Sequence, residues 1–219
     1  MRYLVNGPKV NEQKHPTLWV VDNFYDNPDA IREFALTQQF EFSEYHRGRR
    51  TDHQYEIPGT KEAFESIIGL KITNWMETHG MCGRFQYCTC EDALVYHADS
   101  QRWAGAIYLT PDAPYECGTS LIAHKKTGIR HVDTIGSDVV WEKKHLDPTP
   151  WEKVDVVGNV YNRLVIWDAH CIHQASQYFG YDKDDSRLIH LFFFELYLHP
   201  QNPFHLLHIV KKIFLIEIL

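Results

Sequence analysis

The chain has 219 residues, of which 44% are hydrophobic and 23% are charged, and its formal net charge is -7 at pH 7. This length and composition are typical of one globular domain that buries a core without disulfide bonds. The negative charge argues against nucleic acid as the main partner, because binding to a phosphate backbone needs clustered Lys and Arg. Two short basic stretches, residues 46–50 and 124–130, are interpreted as solvated loops.

The first third of the chain predicts a short strand followed by two helices. Residues 18–22 are predicted to form a short strand. A capping Asn, a Pro and an Asp at 27–29 then begin a helix. After a polar, irregular stretch at 45–59, a second helix is predicted from about Thr60 to Thr78. Its apolar positions share one side: Phe64, Ile67, Ile68, Ile72 and Trp75.

From residue 84 onward the sequence predicts short strands separated by turns. The predicted strands are 84–89, 93–98, 104–110, 119–124, 156–161, 163–168 and 187–197. Strands at this spacing indicate a sandwich or a small barrel, with the helices packed on one face. We therefore predict one domain, with a helical buttress at about 24–80, a barrel at about 84–198 and an apolar tail at 204–219.

The five cysteines and the chain ends bear on location. Five is an odd number, and the spacing matches neither a disulfide framework nor a CxxC pair. Reduced core thiols are the preferred interpretation, and they fit a cytoplasmic protein. Residues 1–10 lack the apolar run of a secretory signal, and we predict no membrane span. The tail is interpreted as packed or partly ordered, in preference to an interfacial helix or a non-native end of the reading frame.

Two segments carry residues of the type that binds transition metals. His97 and Asp99 follow an apolar strand, and residues two apart on a strand project to the same face. The second segment, residues 163–173, is a buried-type strand that continues into a tight turn containing His170 and His173. Two histidines and one carboxylate on adjacent strands make a facial triad, which leaves open metal positions and suits non-haem Fe(II).

A third segment begins with Arg187, which is followed by an apolar strand. An arginine that points into a barrel is costly unless an anion pairs with it. A dicarboxylate ligand would supply that partner, because a planar guanidinium binds a carboxylate through two parallel hydrogen bonds. A polar residue at a strand start, beside the acidic turn at 182–185, is the competing interpretation.

The order and spacing of these features resemble the 2-oxoglutarate and Fe(II)-dependent oxygenase superfamily, in particular its prolyl-hydroxylase-like branch. In that branch a strand ending in Tyr-Leu and a Gly-rich turn follow the His-x-Asp, as residues 103–110 and 118–120 do here. The resemblance covers roughly residues 84–197, and the strand and helix after Trp19 are also similar. It implies a mainly β fold, the double-stranded β-helix or jelly-roll barrel, with N-terminal helices packed on one sheet.

The resemblance also implies site residues and cofactors. His97, Asp99 and His173 would hold Fe(II), and His173 is preferred to His170 because its distance from the preceding strand resembles the family pattern. Arg187 would bind the far carboxylate of the cosubstrate 2-oxoglutarate, with dioxygen as co-reactant. Asp168 is a candidate for orienting a ligand histidine.

One position departs from the family pattern. Several family members carry a Ser or Thr two residues after the arginine, and this chain has Ile189 there. The Tyr108 hydroxyl therefore becomes a candidate second contact for the cosubstrate carboxylate.

The resemblance implies hydroxylation of a C–H bond in a small molecule or a protein side chain. Three alternatives remain open. They are a cupin-like jelly roll that binds a metal or ligand without oxygenase turnover, a Zn- or Mn-dependent isomerase or hydrolase on the same fold, and a structural domain with scattered histidines. The sequence makes no prediction of oligomeric state.

Overall fold

A computed structural model describes residues 17–44, 46–77, 80–134 and 145–197. The predicted tail at 204–219 lies outside these ranges. The described elements are β1 (Leu18–Val21), α1 (Pro28–Thr37), β2 (Phe40–Phe42), β3 (Arg49–Thr51), α2 (Thr60–Ile68), β4 (Ile72–Asn74), β5 (Arg84–Cys88), β6 (Trp103–Tyr108), β7 (Thr119–His124), β8 (Trp151–Val157), β9 (Leu164–Asp168), β10 (His173–Ala175) and β11 (Arg187–Leu196).

The strands form two antiparallel sheets. The large sheet has the order β1-β9-β6-β11-β5-β3-β2, and β4 pairs with the end of β11. The small sheet has the order β10-β7-β8. The order follows long-range pairing rather than chain order, because β11, the last strand described, lies between β6 and β5. Pairs from distant parts of the chain therefore build the centre of the sheet.

The central strands of the large sheet are buried on both faces. Phe192 and Phe194 of β11 pack against Phe64 of α2, with ring centroids 5.1 and 5.7 Å from the Phe64 ring. The alternate residues Ile189 and Leu191 belong to a second apolar cluster, shared with the small sheet. This two-residue alternation separates a core under the helices from the interior between the sheets.

Helix α2 lies close to β6 because Gly105 has no side chain. A Cβ atom at this position would lie 2.9 Å from Cε1 of Phe64, which is closer than real carbon contacts allow. Phe64 is fully buried and also packs on Trp75 at 5.5 Å between centroids. Burial of such a ring contributes about 1.5–3 kcal/mol to stability. The helix-bearing face of the sheet therefore depends on one glycine and one phenylalanine.

The second helix is shorter than the sequence predicted. It ends at Ile68, because Gly69 has a left-handed φ of 78° and its N–H donates to the Glu65 carbonyl, as in a glycine helix cap. Residues 72–74 instead form β4. Ile72 and Trp75 are buried, as the apolar spacing predicted. They are buried from an extended segment and not from a continued helix.

Three further boundaries differ from the predictions. Residues 93–98 form no strand, because among them only His97 makes a bridge, to His173. The strand predicted at 156–161 lies earlier in the chain, as β8. Its pairing with β7 sets these bounds, because Trp151 lies opposite His124 and Val157 lies opposite Thr119. The irregular stretch 45–59 contains β3. None of the helices in the described ranges is both long enough and apolar enough to cross a bilayer.

Candidate metal centre

Short backbone pairings bring the three candidate ligands together. The N–H of His97 donates to the His173 carbonyl at 3.1 Å, and the N–H of His173 donates to the His97 carbonyl at 2.8 Å. The N–H of Asp99 donates to the carbonyl of Ala169 at 2.9 Å. His173 also begins β10, opposite Leu121 of β7. The 97–99 segment is thus fixed against the chain that connects β9 to β10, and the three side chains line one pocket.

The side-chain donor atoms converge. Nε2 of His173 lies 3.3 Å from Oδ2 of Asp99, and Nε2 of His97 lies 3.8 Å from Oδ1 of the same carboxylate. One ligand atom from each residue lies within 4.8 Å of the other two. The two imidazole rings are 4.3 Å apart between centroids. Two nitrogens and one carboxylate oxygen at this separation match the donor set of a facial triad.

Each histidine is oriented by its own main chain. Nδ1 of His97 donates to the Val95 carbonyl at 3.0 Å, and Nδ1 of His173 donates to the Cys171 carbonyl at 2.8 Å. A carbonyl only accepts, so each neutral ring carries its proton on Nδ1 and presents the Nε2 lone pair. Both lone pairs then face the carboxylate of Asp99, which is itself an acceptor. This arrangement fits a cation bound among the three side chains.

The electrostatics favour this ligand-ready state. Desolvation by the surrounding protein, with His173 as a further cause, lowers the pKa of His97 to about 4, although 41% of its side chain stays accessible from the pocket. Burial acts to raise the pKa of Asp99, but nearby positive charge, from His173 when its ring is protonated and also from Arg50, outweighs burial and holds that pKa below its usual value. At neutral pH His97 is therefore neutral and Asp99 is ionised, as metal ligation requires.

Arg187 occupies the interior face of β11, as its place in the strand alternation requires. The side chain is buried, with Nε donating to the Cys117 carbonyl at 3.0 Å and Nη2 to the Gly118 carbonyl at 3.3 Å. Its guanidinium lies 5.3 Å from the ring centroid of Tyr108. Within the described residues it forms no ion pair with a carboxylate. Nη2 also donates to the Thr119 hydroxyl at 3.4 Å. A buried cation whose partners are all neutral is suited to an anionic ligand.

The Tyr108 hydroxyl does not itself reach the pocket wall. It bonds to Oγ1 of Thr119 at 2.8 Å, and Thr119 is the residue that lines the pocket with Arg187. The pocket has a volume of about 490 Å³ and also includes Ile189. Sequence reasoning did not select Thr119, although the Gly118-Thr119-Ser120 turn contained it. Its signal was a hydroxyl residue at the start of the strand that follows the Gly-rich turn.

Solved structures of similar fold identify the architecture that the two sheets form. No known family model matches the sequence, and no curated protein sequence matches it significantly. The structure is similar to a prolyl hydroxylase from Trichoplax adhaerens in complex with a hypoxia-inducible-factor peptide fragment, with TM-score 0.50, 13% identity, and coverage of 84% of this chain and 86% of that one. HygX from Streptomyces hygroscopicus, with nickel, 2-oxoglutarate and hygromycin B bound, gives TM-score 0.53, 9% identity, and coverage of 81% and 82%.

The chain has the double-stranded β-helix fold. The predicted fold class, a mainly β jelly-roll barrel with N-terminal helices packed on one sheet, is confirmed. The large and small sheets are the two walls of the double-stranded β-helix, and the pocket that contains the triad and Arg187 lies between them.

A second group of histidines and carboxylates resembles the triad in sequence but not in bonding. Nδ1 of His131 accepts from the Asp133 N–H at 3.0 Å, and its Nε2 contacts Asp168 at 3.3 Å, so both ring nitrogens are engaged within the protein. Arg102 contacts Asp133 at 2.9 Å and Asp168 at 2.8 Å. His170 joins this group through Asp133 at 3.3 Å. A guanidinium already supplies the cation here, so we describe this group as an ion-pair network. Asp168 orients neither ring of the triad.

Sequence reasoning missed other polar residues of the pocket wall besides Thr119. His46, Arg47 and Arg50 line the pocket, so the solvated-loop interpretation of residues 46–50 was wrong for these three residues. Gln174 and Trp167 also line it, and within the described residues Oε1 of Gln174 and Nε1 of Trp167 are buried without a hydrogen-bond partner. Such unpartnered buried polar atoms are costly and uncommon in folded proteins.

Proposed function

We propose that the protein is a non-haem Fe(II) and 2-oxoglutarate-dependent dioxygenase that hydroxylates a C–H bond of a small molecule or a protein side chain. The observation that supports it most is the presence, in one pocket, of the convergent His97, Asp99 and His173 and of Arg187, a buried cation with no carboxylate partner among the described residues. A metal-binding group alone fits many reactions. The additional presence of Arg187 supports a dicarboxylate cosubstrate.

The chain's own residues would divide the work. His97, Asp99 and His173 would hold the metal and leave positions for cosubstrate and dioxygen. Bound Fe(II) would supply the activation of dioxygen, coupled to decarboxylation of 2-oxoglutarate to succinate and carbon dioxide. Nδ1 of each histidine stays bonded to a main-chain carbonyl, so the rings keep their orientation while ligands exchange.

Arg187 would bind the carboxylate of 2-oxoglutarate that lies away from the metal. Nε and Nη2 make the hydrogen bonds to Cys117, Gly118 and Thr119, so the Nη1 side of the guanidinium would receive that group. Thr119 would add a hydroxyl contact, and Tyr108 would hold both Thr119 and the guanidinium in place. Ile189 supplies an apolar wall instead of a hydroxyl, which limits water around the carboxylate and strengthens its attraction to the cation.

The substrate class and the location are part of the same proposal. One structure of this fold holds a peptide fragment and another holds hygromycin B, which supports a protein or small-molecule substrate over nucleic acid. All five cysteines are unpaired, which supports a reducing, cytoplasmic environment. Cell fractionation of the tagged protein would test the location.

Anaerobic titration of the purified protein with Fe(II) and 2-oxoglutarate tests the central claim. The expected result is a weak visible metal-to-ligand charge-transfer band in the wild type. The band should be lost in Asp99→Ala and should need a higher 2-oxoglutarate concentration in Arg187→Ala. Metal binding without a band in the wild type would overturn the 2-oxoglutarate claim and leave a cupin-like metal-binding protein as the better account.

A further inference from the structure

We propose that Arg50 binds a carboxylate of the molecule that is oxidised, so that the substrate belongs to the class of carboxylate-bearing compounds. This inference rests on the proposed function, because it assigns Arg187 to the cosubstrate and Arg50 to the substrate. The two guanidinium groups come from strands that are not neighbours, since β5 lies between β3 and β11.

The orientation of Arg50 is fixed by the neighbouring strand. Arg50 is paired with Gln86 of β5, and its Nε donates to Oε1 of Gln86 at 2.6 Å. Both side chains line the pocket. The adjacent Arg49 is exposed, and its guanidinium lies over the ring of Tyr87 at 5.9 Å. The strand therefore directs one of two consecutive arginines into the pocket.

The charge of Arg50 is only partly compensated by the protein. Within the described residues its Nη1 and Nη2 form no hydrogen bond, and no carboxylate oxygen lies within ion-pair distance. Burial lowers the pKa of Arg50 to about 10, so the group remains a cation at neutral pH while losing part of its hydration. A partly desolvated cation gains most from an anion that arrives with the ligand.

The free edge of the guanidinium selects the kind of anion. Because Nε is used by Gln86, the edge formed by Nη1 and Nη2 is left, and two parallel N–H groups match the two oxygens of a carboxylate. Glu44 and Arg47 line the same pocket with opposite charges, so together they favour neither sign. Arg50 supplies one positive charge, which a single carboxylate balances and a dianion such as a phosphate monoester exceeds.

Arg50 is also close enough to the metal centre to position a substrate there. Arg50 lines the same pocket as His97, Asp99 and His173. Gln174 and Trp167 line the same pocket. A carboxylate anchored on Arg50 would therefore leave the remainder of the substrate at the metal.

A comparison of acids with their amides tests the assignment. The probes are N-acetyl amino acids with neutral side chains, as free acids and as primary amides, with phenyl phosphate as the dianion. Protein loaded with Zn(II) and N-oxalylglycine, an inert analogue of 2-oxoglutarate, is screened by saturation-transfer NMR and then titrated. The wild type is compared with Arg50→Gln, Arg50→Lys and the matched control Arg49→Gln, and circular dichroism checks that each variant folds.

We expect acids to bind the wild type and Arg49→Gln at least about tenfold more tightly than the amides. Arg50→Gln should remove that preference, and Arg50→Lys, which keeps the charge but not the paired N–H edge, should retain part of it. The assignment is overturned if no acid is preferred over its amide, if Arg50→Gln keeps the preference, or if phenyl phosphate binds more tightly than the acids. If one of these outcomes is found while the wild type still forms the Fe(II) and 2-oxoglutarate band, only the assignment of Arg50 is wrong. If the wild type forms no band, the proposed function itself is wrong.

Discussion

His97 and His173 exchange both main-chain hydrogen bonds with each other, at 3.1 and 2.8 Å. Directly opposed residues of an antiparallel pair place their side chains on the same side of the sheet. The imidazole rings are consequently 4.3 Å apart although the residues come from distant parts of the chain. The separation of these two candidate ligands is therefore set by backbone pairing, and Asp99, two residues beyond His97, completes the group.

Asp99→Asn should abolish tight metal binding, and Asp133→Asn should not. Asparagine keeps the size of Asp99 but removes the charge that compensates the cation, so we expect the affinity for Fe(II) or Co(II) to fall by at least about 100-fold, the upper end of what the loss of an outer-sphere partner costs. Asp133 is the matched control, because it also follows a histidine by two residues. Metal titrations followed by visible spectroscopy of the Co(II) form would measure both. Equal losses in the two variants would contradict the assignment.

Arg187→Gln should remove stabilisation by dicarboxylates. A ligand at about 100 times its Kd stabilises a protein by about 2.7 kcal/mol, which is readily measured as a rise in Tm. We expect this rise with Zn(II) and N-oxalylglycine in the wild type, and little or none in Arg187→Gln at the same concentrations. Arg163→Gln removes an equal charge from a surface pair with Asp22, at 2.6 Å, and should keep the rise. An unchanged rise in Arg187→Gln would place the dicarboxylate elsewhere.

Thr119→Val and Tyr108→Phe should differ in their effect on 2-oxoglutarate affinity. Thr119 lines the pocket, whereas the Tyr108 hydroxyl bonds to Thr119. Loss of a hydrogen bond to a charged group costs about 1.5–3 kcal/mol, so Thr119→Val should weaken binding by at least about tenfold. Tyr108→Phe should weaken it less, because it removes only the support of that hydroxyl. Calorimetric titration would compare them, and a larger loss in Tyr108→Phe would show that tyrosine contacts the carboxylate directly.

Continuous runs of apolar residues made the core strands predictable. Both faces of β11 and β9 are buried and carry mostly apolar residues, so the bounds of these strands, 187–196 and 164–168, were predicted to within a residue or two. The helix at 28–37 was also predictable, because its start is encoded locally by Asn27, whose side chain accepts from the Ala30 N–H at 3.1 Å.

What the sequence could not supply was pairing between distant segments. The helix-like spacing of Ile72 and Trp75 gave no sign that residues 72–74 join the end of β11. Arg49 and Arg50 are indistinguishable in a basic stretch, and only the pairing of β3 with β5 determines which one enters the pocket. The local His-x-Asp spacing likewise occurs at 97–99 and at 131–133, and only the bonding of the rings separates the two groups.

Acid should destabilise the protein through His190. This buried histidine accepts from the Tyr25 hydroxyl at 2.7 Å and donates from Nε2 to the carbonyls of Tyr55 and Gly83. Burial lowers its pKa to about 4, below the value near 6.5 of an unfolded chain. The unfolded chain therefore binds more protons between these values, so stability present above about pH 6.5 is lost as the pH falls. The loss from this residue is about 3 kcal/mol by pH 4.

His190→Gln tests this linkage, because the amide places a donor near the position of Nε2 and does not titrate. Urea unfolding at pH 7, 6, 5 and 4 should show a shallower fall in the free energy of unfolding for His190→Gln than for the wild type. His53→Gln changes an exposed histidine, with 74% of its side chain accessible, and should retain the wild-type slope. Parallel curves for wild type and His190→Gln would refute the assignment.

Both candidate ligand histidines are oriented by carbonyl groups two residues earlier in their own segments, those of Val95 and Cys171. A carbonyl oxygen is present whatever the side chain, so mutations at these positions leave the hydrogen bond available. The orientation is consequently inherited with the backbone course and is tolerant of sequence drift around the site. Because both Nδ1 partners are carbonyl groups, no carboxylate is available there through which the basicity of a ligand histidine could be adjusted. A change of metal preference would therefore require replacement of a ligand itself.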